Sequence, residues 1–125
     1  MATTMTTPTN LIEMGERNFD STIKKGVTFV DLWASWCGPC RMFAPIFSAA
    51  ATRHPEITFA KVDTEAEPGL AGYLGVQAIP TLMIFKDGVL IFQQAGVLPA
   101  SALDDLARQA KALDVGSALA KKKVG

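Results

Sequence analysis

This chain has only two cysteines, one histidine and one tyrosine among its 125 residues, and neither sign of charge outweighs the other. Lys plus Arg and Asp plus Glu each number 12, which offers no general attraction to nucleic acid or to an anionic membrane. Two cysteines cannot make the framework that staples small secreted domains, and such sparse usage fits a reducing compartment. No apolar run approaches the roughly 20 residues that span a bilayer. Even TLMIFKDGVLIF is broken by Lys86, Asp87 and Gly88. The opening MATTMTTPTN lacks both the basic start and the apolar run of about 7–15 residues that a secretory signal needs. The expectation is a soluble, cytoplasmic protein. What the chain does have is apolar side chain: 49% of residues are hydrophobic and 19% charged, the composition of a folded domain rather than a disordered one. Its length fits one such domain.

From Asn18 onward, helix-like and strand-like segments alternate. FDSTIKK places Phe19 and Ile23 one turn apart, which predicts a short helix ending near Gly26. VTFVDLW (27–33) is rich in β-branched and aromatic residues and reads as a buried strand. Residues 38–53, GPCRMFAPIFSAAATR, have the length of a helix, with Pro39 tolerable in the first turn and Pro45 expected to kink it. ITFAKVD (57–63) is a second strand, so the three pieces have βαβ spacing and predict parallel neighbours. PGLAGYLG (68–75) reads as a short helix closed by Gly75. TLMIF and VLIFQQA flank KDG, a hairpin signal. PASALDDLARQAKAL predicts a closing helix with Leu103, Leu106, Ala110 and Leu113 as its apolar stripe. The order β(α)βαβ(α)ββα predicts an α/β domain, a mixed sheet with helices on both faces.

Both cysteines lie in FVDLWASWCGPC (29–40). Cys37 falls where a strand hands over to a helix, and free backbone N–H groups and the positive end of the helix dipole lower the pKa of a thiolate placed there. Gly38 lets the backbone turn closely, and Pro39 gives up only an N–H without a helical partner. Cys40 lies one turn further along the same face, so its sulfur can reach Cys37 and close a small ring. The pair is expected to switch between dithiol and disulfide. Cys37, at the exposed end, would attack a substrate disulfide, and Cys40, deeper, would resolve the mixed disulfide. Resolution requires a buried thiol to lose its proton. Asp31, a desolvated carboxylate in a strand covered on both sides, is the candidate acceptor, and Lys61 on the neighbouring strand is placed to modulate it. Asp31 could instead be a structural carboxylate satisfied by Lys61 or water.

Other uses of a CxxC fail on supply or geometry. A zinc site needs about four ligands, and the chain has no third cysteine; no metal is expected. A cysteine hydrolase needs a histidine beside its nucleophile. His54 falls at the far end of the helix that begins at Cys37, roughly 20 Å away by helical rise, and is expected to be an ordinary exposed loop residue.

VDLWASWCGPCRMFAPIF, FAKVD, AIPTLMIFKDG and AGVL follow one another as in the thioredoxin family, which the chain resembles from about residue 11 to 113. WCGPC with a downstream IPT is far more specific than a bare CxxC. The resemblance implies a thioredoxin fold, with a central mixed β-sheet flanked by helices on both faces. It implies protein-disulfide reductase activity through Cys37 as nucleophile and Cys40 as resolving thiol, assisted by Asp31 with Lys61 near it. The redox-active disulfide replaces any cofactor. Ile79–Pro80 matches the segment that faces the disulfide, where the family has a cis-proline; the Ile79 backbone would pair with an extended substrate strand, largely indifferent to its sequence. Trp36, Gly38, Pro39, Gly75, Ile79, Pro80 and Gly96 would surround the thiols with a flat apolar docking surface, whereas Trp33 is expected in the core.

Thioredoxin reductase and disulfide-containing target proteins are the partners implied, and the protein is expected as a monomer. Residues 1–9 are expected as a flexible N-terminal extension, 10–115 as the domain and 116–125 as a flexible Lys-rich tail. Arg41 stands where many members have lysine, and Ala78 where many have glycine or serine. Two alternatives remain open: a disulfide oxidase or isomerase of the same fold, against which Gly38-Pro39 between the cysteines resembles the reducing branch, and a protein-binding module with incidental thiols.

Overall fold

A computed structural model describes residues 7–116; residues 1–6 and 117–125, which hold most of the two expected appendages, lie outside the described residues. The chain runs through β1 (Leu11–Glu13), α1 (Phe19–Ile23), β2 (Val27–Trp33), α2 (Gly38–Arg53), β3 (Thr58–Asp63), α3 (Pro68–Leu74), β4 (Thr81–Lys86), β5 (Val89–Ala95) and α4 (Ala100–Ala112). The five strands form one sheet in the order β1-β3-β2-β4-β5. β3 pairs in parallel with both β1 and β2, while β4 runs antiparallel to β2 and β5. The βαβ spacing thus produced the parallel β2–β3 pair that it predicts. The three residues of β1 offer no period to read, and their place comes from pairing: Leu11 opposite Phe59, Glu13 opposite Lys61.

β2 is central and covered on both sides, so its side chains alternate between two apolar layers. Phe29 packs with Phe43 and Phe47 of α2 and Leu103 of α4. Val30 and Leu32 face the other way, into the layer that holds Phe19 of α1 and Leu70 of α3. By the same alternation Asp31 points to the α2 side. The hairpin signal is realised by Asp87 and Gly88 at φ 50° and 84°, the positive pair that a tight two-residue turn requires. α2 continues through Pro45 in one run of 16 residues.

Two side-chain expectations change. The α4 stripe is Leu103, Ala107 and Ala110, with Leu106 half-buried. Leu113 is 36% exposed, because the helix ends at Ala112 and Leu113 has extended backbone. The ammonium of Lys86, at the end of β4, donates to the terminal carbonyls Ala110 O (2.8 Å) and Lys111 O (2.9 Å), and to Leu113 O just beyond the helix, adding a charged donor where a helix end runs short of N–H groups. His54 is not an ordinary exposed residue either. It caps the end of α2 with a side chain 16% exposed, and its Nε2 lies 2.7 Å from Asp104 Oδ1 on α4. Arg53 reaches the same carboxylate.

Asn10, just before β1, is a comparable lock on the end of α2. Its side-chain amide donates to Ala51 O (3.0 Å), His54 O (3.0 Å) and Ile57 O (2.8 Å), while its own carbonyl accepts from Phe59 N at 2.7 Å. Replacement by alanine leaves three half-buried carbonyls without this donor. Asn10→Ala is expected to lower the unfolding free energy by about 1–3 kcal/mol in urea denaturation; a change of only a few tenths would mean that water substitutes for the amide.

Candidate active site

The cysteines sit at the C-terminal end of β2, on the first turn of α2. Cys37 is the N-cap, with φ −87° and ψ 114°, and its sulfur accepts from Cys40 N at 3.2 Å. A sulfur thus takes the place that an oxygen acceptor fills at most helix starts, where the field of the helix favours negative charge on it. The two residues are joined as a disulfide with Cα atoms 5.2 Å apart. Pro39 occupies the first turn, as its missing N–H allows. Gly38 has open space where a Cβ would stand, with only Arg41 Nη2 near, at 3.9 Å. The Arg41 guanidinium donates to Ser35 O at 2.9 Å, pinning the strand-to-helix connection. The expected contrast in exposure is absent: Cys37 is 4% and Cys40 3% exposed. What separates them is position, Cys37 at the helix start and Cys40 one turn inside.

The sheet register brings up the second segment. Leu32 of β2 pairs with Thr81 of β4, so residues just after β2 meet those just before β4. Ile79 packs against Cys37, Cys40 and Ala34, and its carbonyl oxygen lies 3.8 Å from Cys37 Sγ. The Ile79–Pro80 peptide is cis. Gly96, at φ 101°, donates to Pro80 O at 2.8 Å and so completes this edge. Gly75 caps α3 in the left-handed conformation, its N–H bonded to Gly72 O at 3.1 Å, which accounts for the glycine by helix ending alone.

Trp36 is 65% exposed, and its indole N–H donates to Glu65 Oε2 at 2.7 Å. Glu65 escapes sequence reading because it lies 29 residues away, and only the fold joins them. The turn that presents it is local: Asp63 Oδ1 accepts from Glu65 N (3.0 Å) and Ala66 N (3.3 Å). Met42 and Tyr73 are further large apolar residues left exposed.

Asp31 is 0% exposed, and neither carboxylate oxygen has a hydrogen-bond partner. Burial pushes its pKa up to about 7, against a smaller downward pull from Lys61. Lys61 stands opposite Asp31 in the β2–β3 register, yet its Nζ lies over the Trp33 ring, 5.1 Å from the centroid. Trp33 is half-buried and packs against the cysteine pair, at the margin of the core rather than inside it. Behind Cys40, a cavity of about 100 Å³ is lined by Trp33, Lys61 and Arg41 among others. Among the described residues no group of three or more His, Cys, Asp or Glu is arranged to hold a metal ion, and no helix is long and apolar enough to cross a membrane.

The sign of the Asp31 shift has a consequence for stability. Its folded pKa, about 7, lies above the ordinary value of 3.8. Between those values the folded chain holds a proton that the unfolded chain has released, so stability falls as pH rises through the window. At pH 8 Asp31→Asn is expected to be more stable than the parent by up to about 4 kcal/mol, the advantage vanishing below about pH 4. Denaturant unfolding across this range checks it; a difference independent of pH would show that the buried carboxylate is not strained by its charge.

The thioredoxin family model matches residues 10–109. A Streptomyces coelicolor protein provisionally named thioredoxin 2 is 45% identical over 108 residues, covering 86% of this chain and 81% of that one. Thioredoxin of Staphylococcus saprophyticus is 36% identical over 97 residues, covering 77% of this chain and 93% of its own length. The crystal structure of Malassezia sympodialis thioredoxin superposes with a TM-score of 0.72 at 30% identity, covering 82% of this chain and 91% of that one. With the mixed sheet, the flanking helices and the Cys37–Cys40 disulfide at a helix start, these matches establish that the chain belongs to the thioredoxin family, whose chemistry is protein dithiol–disulfide exchange.

Proposed function

We propose that this protein works in the reducing direction, as a general protein-disulfide reductase of the cytoplasm that acts as a monomer and is recharged by thioredoxin reductase. The observation that carries the reading is Asp31: a fully buried carboxylate without a hydrogen-bond partner, on the α2 side of β2 and with its pKa raised to about 7. A group that exchanges its proton near neutrality suits general base work. The Cys37 thiolate attacks one sulfur of the target disulfide; that S–S bond breaks, and the other target sulfur leaves as a thiolate that takes up a proton. Cys40 then gives its proton to Asp31 and attacks Cys37 Sγ, forming the internal disulfide and expelling the second target sulfur. Two electrons pass to the target, whose first thiolate takes from solvent the equivalent of the proton that Cys37 released on ionising, and whose second takes up the proton that Cys40 gave to Asp31, leaving Asp31 charged again. Lys61 moderates the charge on Asp31.

An extended target segment is taken to pair with the Ile79 backbone beside Pro80, with Trp36, Gly38, Pro39, Gly75 and Gly96 completing the docking surface. Such backbone pairing leaves sequence selection weak. The cytoplasmic assignment is supported by cysteine usage: both cysteines belong to the reactive pair, as suits a compartment that keeps thiols reduced.

Cys40→Ser is expected to accumulate mixed disulfides with target proteins through Cys37, and Cys37→Ser none; turnover in both should fall to background. Redox titration followed by Trp33 and Trp36 fluorescence should give a midpoint more reducing than about −220 mV. A midpoint near the strong-oxidant end of the scale, about −120 mV, would make the protein an oxidase or isomerase, and retained partner function in both serine variants would make it a binding module.

A further inference from the structure

Lys61 and Asp31 occupy paired positions on adjacent parallel strands, so their side chains leave the sheet on the same face. Contact between ammonium and carboxylate is the natural outcome of that placement. It is not what the structure contains. The Lys61 Nζ lies over the Trp33 ring at 5.1 Å, and both Asp31 oxygens are without a hydrogen-bond donor. Trp33 follows Asp31 by two residues and therefore shares its face. Its backbone is clamped by Thr64, whose N–H and Oγ1 donate to Trp33 O at 2.9 and 3.0 Å. Its indole N–H is buried without a partner, so no hydrogen bond of that N–H sets the orientation of the ring. Trp33, Lys61 and Cys40 meet around one cavity of about 100 Å³.

We propose that Trp33 is a positioning residue: its indole face holds the Lys61 ammonium off the Asp31 carboxylate and so keeps that carboxylate able to accept the Cys40 proton. A cation is attracted to the face of an indole ring, most strongly where water is partly excluded, and the ring competes with Asp31 for the same ammonium. Lys61 in direct contact would favour the charged carboxylate and weaken it as a base. The other groups around Asp31 do not take over this role. Cys37 and Cys40 of α2 are bonded to each other, β4 sets Leu82 opposite Asp31, and the buried residues of α4 are Leu103, Ala107 and Ala110. Arg41, the other cation lining the cavity, is engaged with Ser35 O.

The inference rests on Asp31 as the base, but its test does not. In the disulfide form, where no thiol titrates, the Asp31 side-chain carboxyl carbon is followed by NMR as pH is varied. Trp33→Leu frees the ammonium and is expected to lower the Asp31 midpoint by roughly 1–3 pH units, with Trp33→Phe, which restores a ring, recovering part of the loss. In a Lys61→Met background, Trp33→Leu should move the midpoint little, since no ammonium remains to be released. An unchanged or higher midpoint in Trp33→Leu, or an equal drop without Lys61, overturns the proposal. Should Trp33→Leu fail to fold, the unsubstituted protein still decides: the Lys61 ε-methylene protons must resonate upfield of those of the other lysines through the ring current of Trp33, and ordinary positions refute the placement. Failure of Asp31 as base would show separately, as an unchanged exchange rate in Asp31→Asn.

Discussion

Asp31 lies in the middle strand of the sheet with no exposed surface and no hydrogen bond to either oxygen. A charged carboxylate in that place has neither exposed surface nor a protein donor, so its ionisation is opposed until the pH reaches about 7. The role proposed for Asp31 as proton acceptor depends on that opposition. Were Asp31 hydrogen-bonded like most buried polar groups, it would hold its charge firmly and have little affinity for a proton. Its isolation follows from the topology: β2 has β3 on one side, β4 on the other and helices on both faces.

The same strand delivers the reactive pair. Where β2 ends, α2 begins, and Cys37 at the boundary has its sulfur against the Cys40 N–H. The helix start favours a charged sulfur on Cys37, while the apolar sheet below resists charge on Asp31. One end of one strand thus sets the Cys37 sulfur and the Asp31 carboxylate in opposite electrostatic environments, the arrangement that separates nucleophile from base in the proposed exchange. Antiparallel β4 then returns Ile79–Pro80 to the disulfide through the β2 register, so the proposed docking edge and the cysteine pair share a single scaffold.

Much of this was legible in residue order because it is local. The period and length of 27–63 encode strand, helix, strand, the Asp-Gly pair encodes the hairpin, and two thiols at helical spacing encode the ring. Contacts that depend on tertiary placement were not legible. The three residues of β1 have too short a period and are recruited by pairing with β3. His54 reads as a loop residue until α4 brings Asp104 to it, and Glu65 has no mark until the fold lays it beside Trp36. Lys61 near Asp31 could be read from parallel register. That its ammonium lies over Trp33 instead could not, because the choice between two nearby partners belongs to side-chain packing.

Keeping an unpartnered carboxylate inside the sheet subtracts from stability at the pH where it is charged, and the compensating contacts lie away from it. Asn10 ties the N-terminal strand to the end of α2, Lys86 gathers the last carbonyls of α4, and His54 with Arg53 joins α2 to α4 through Asp104. All three act at helix ends or between helices, where a hydrogen bond can be added without lending a donor to Asp31. Satisfying Asp31 itself would be the direct way to a firmer fold, and it would remove the proton affinity on which the proposed exchange relies. Among the described residues the unsatisfied buried side chains, Asp31 and the indole N–H of Trp33, lie together on one face of β2, and the stabilising contacts are placed at the margins.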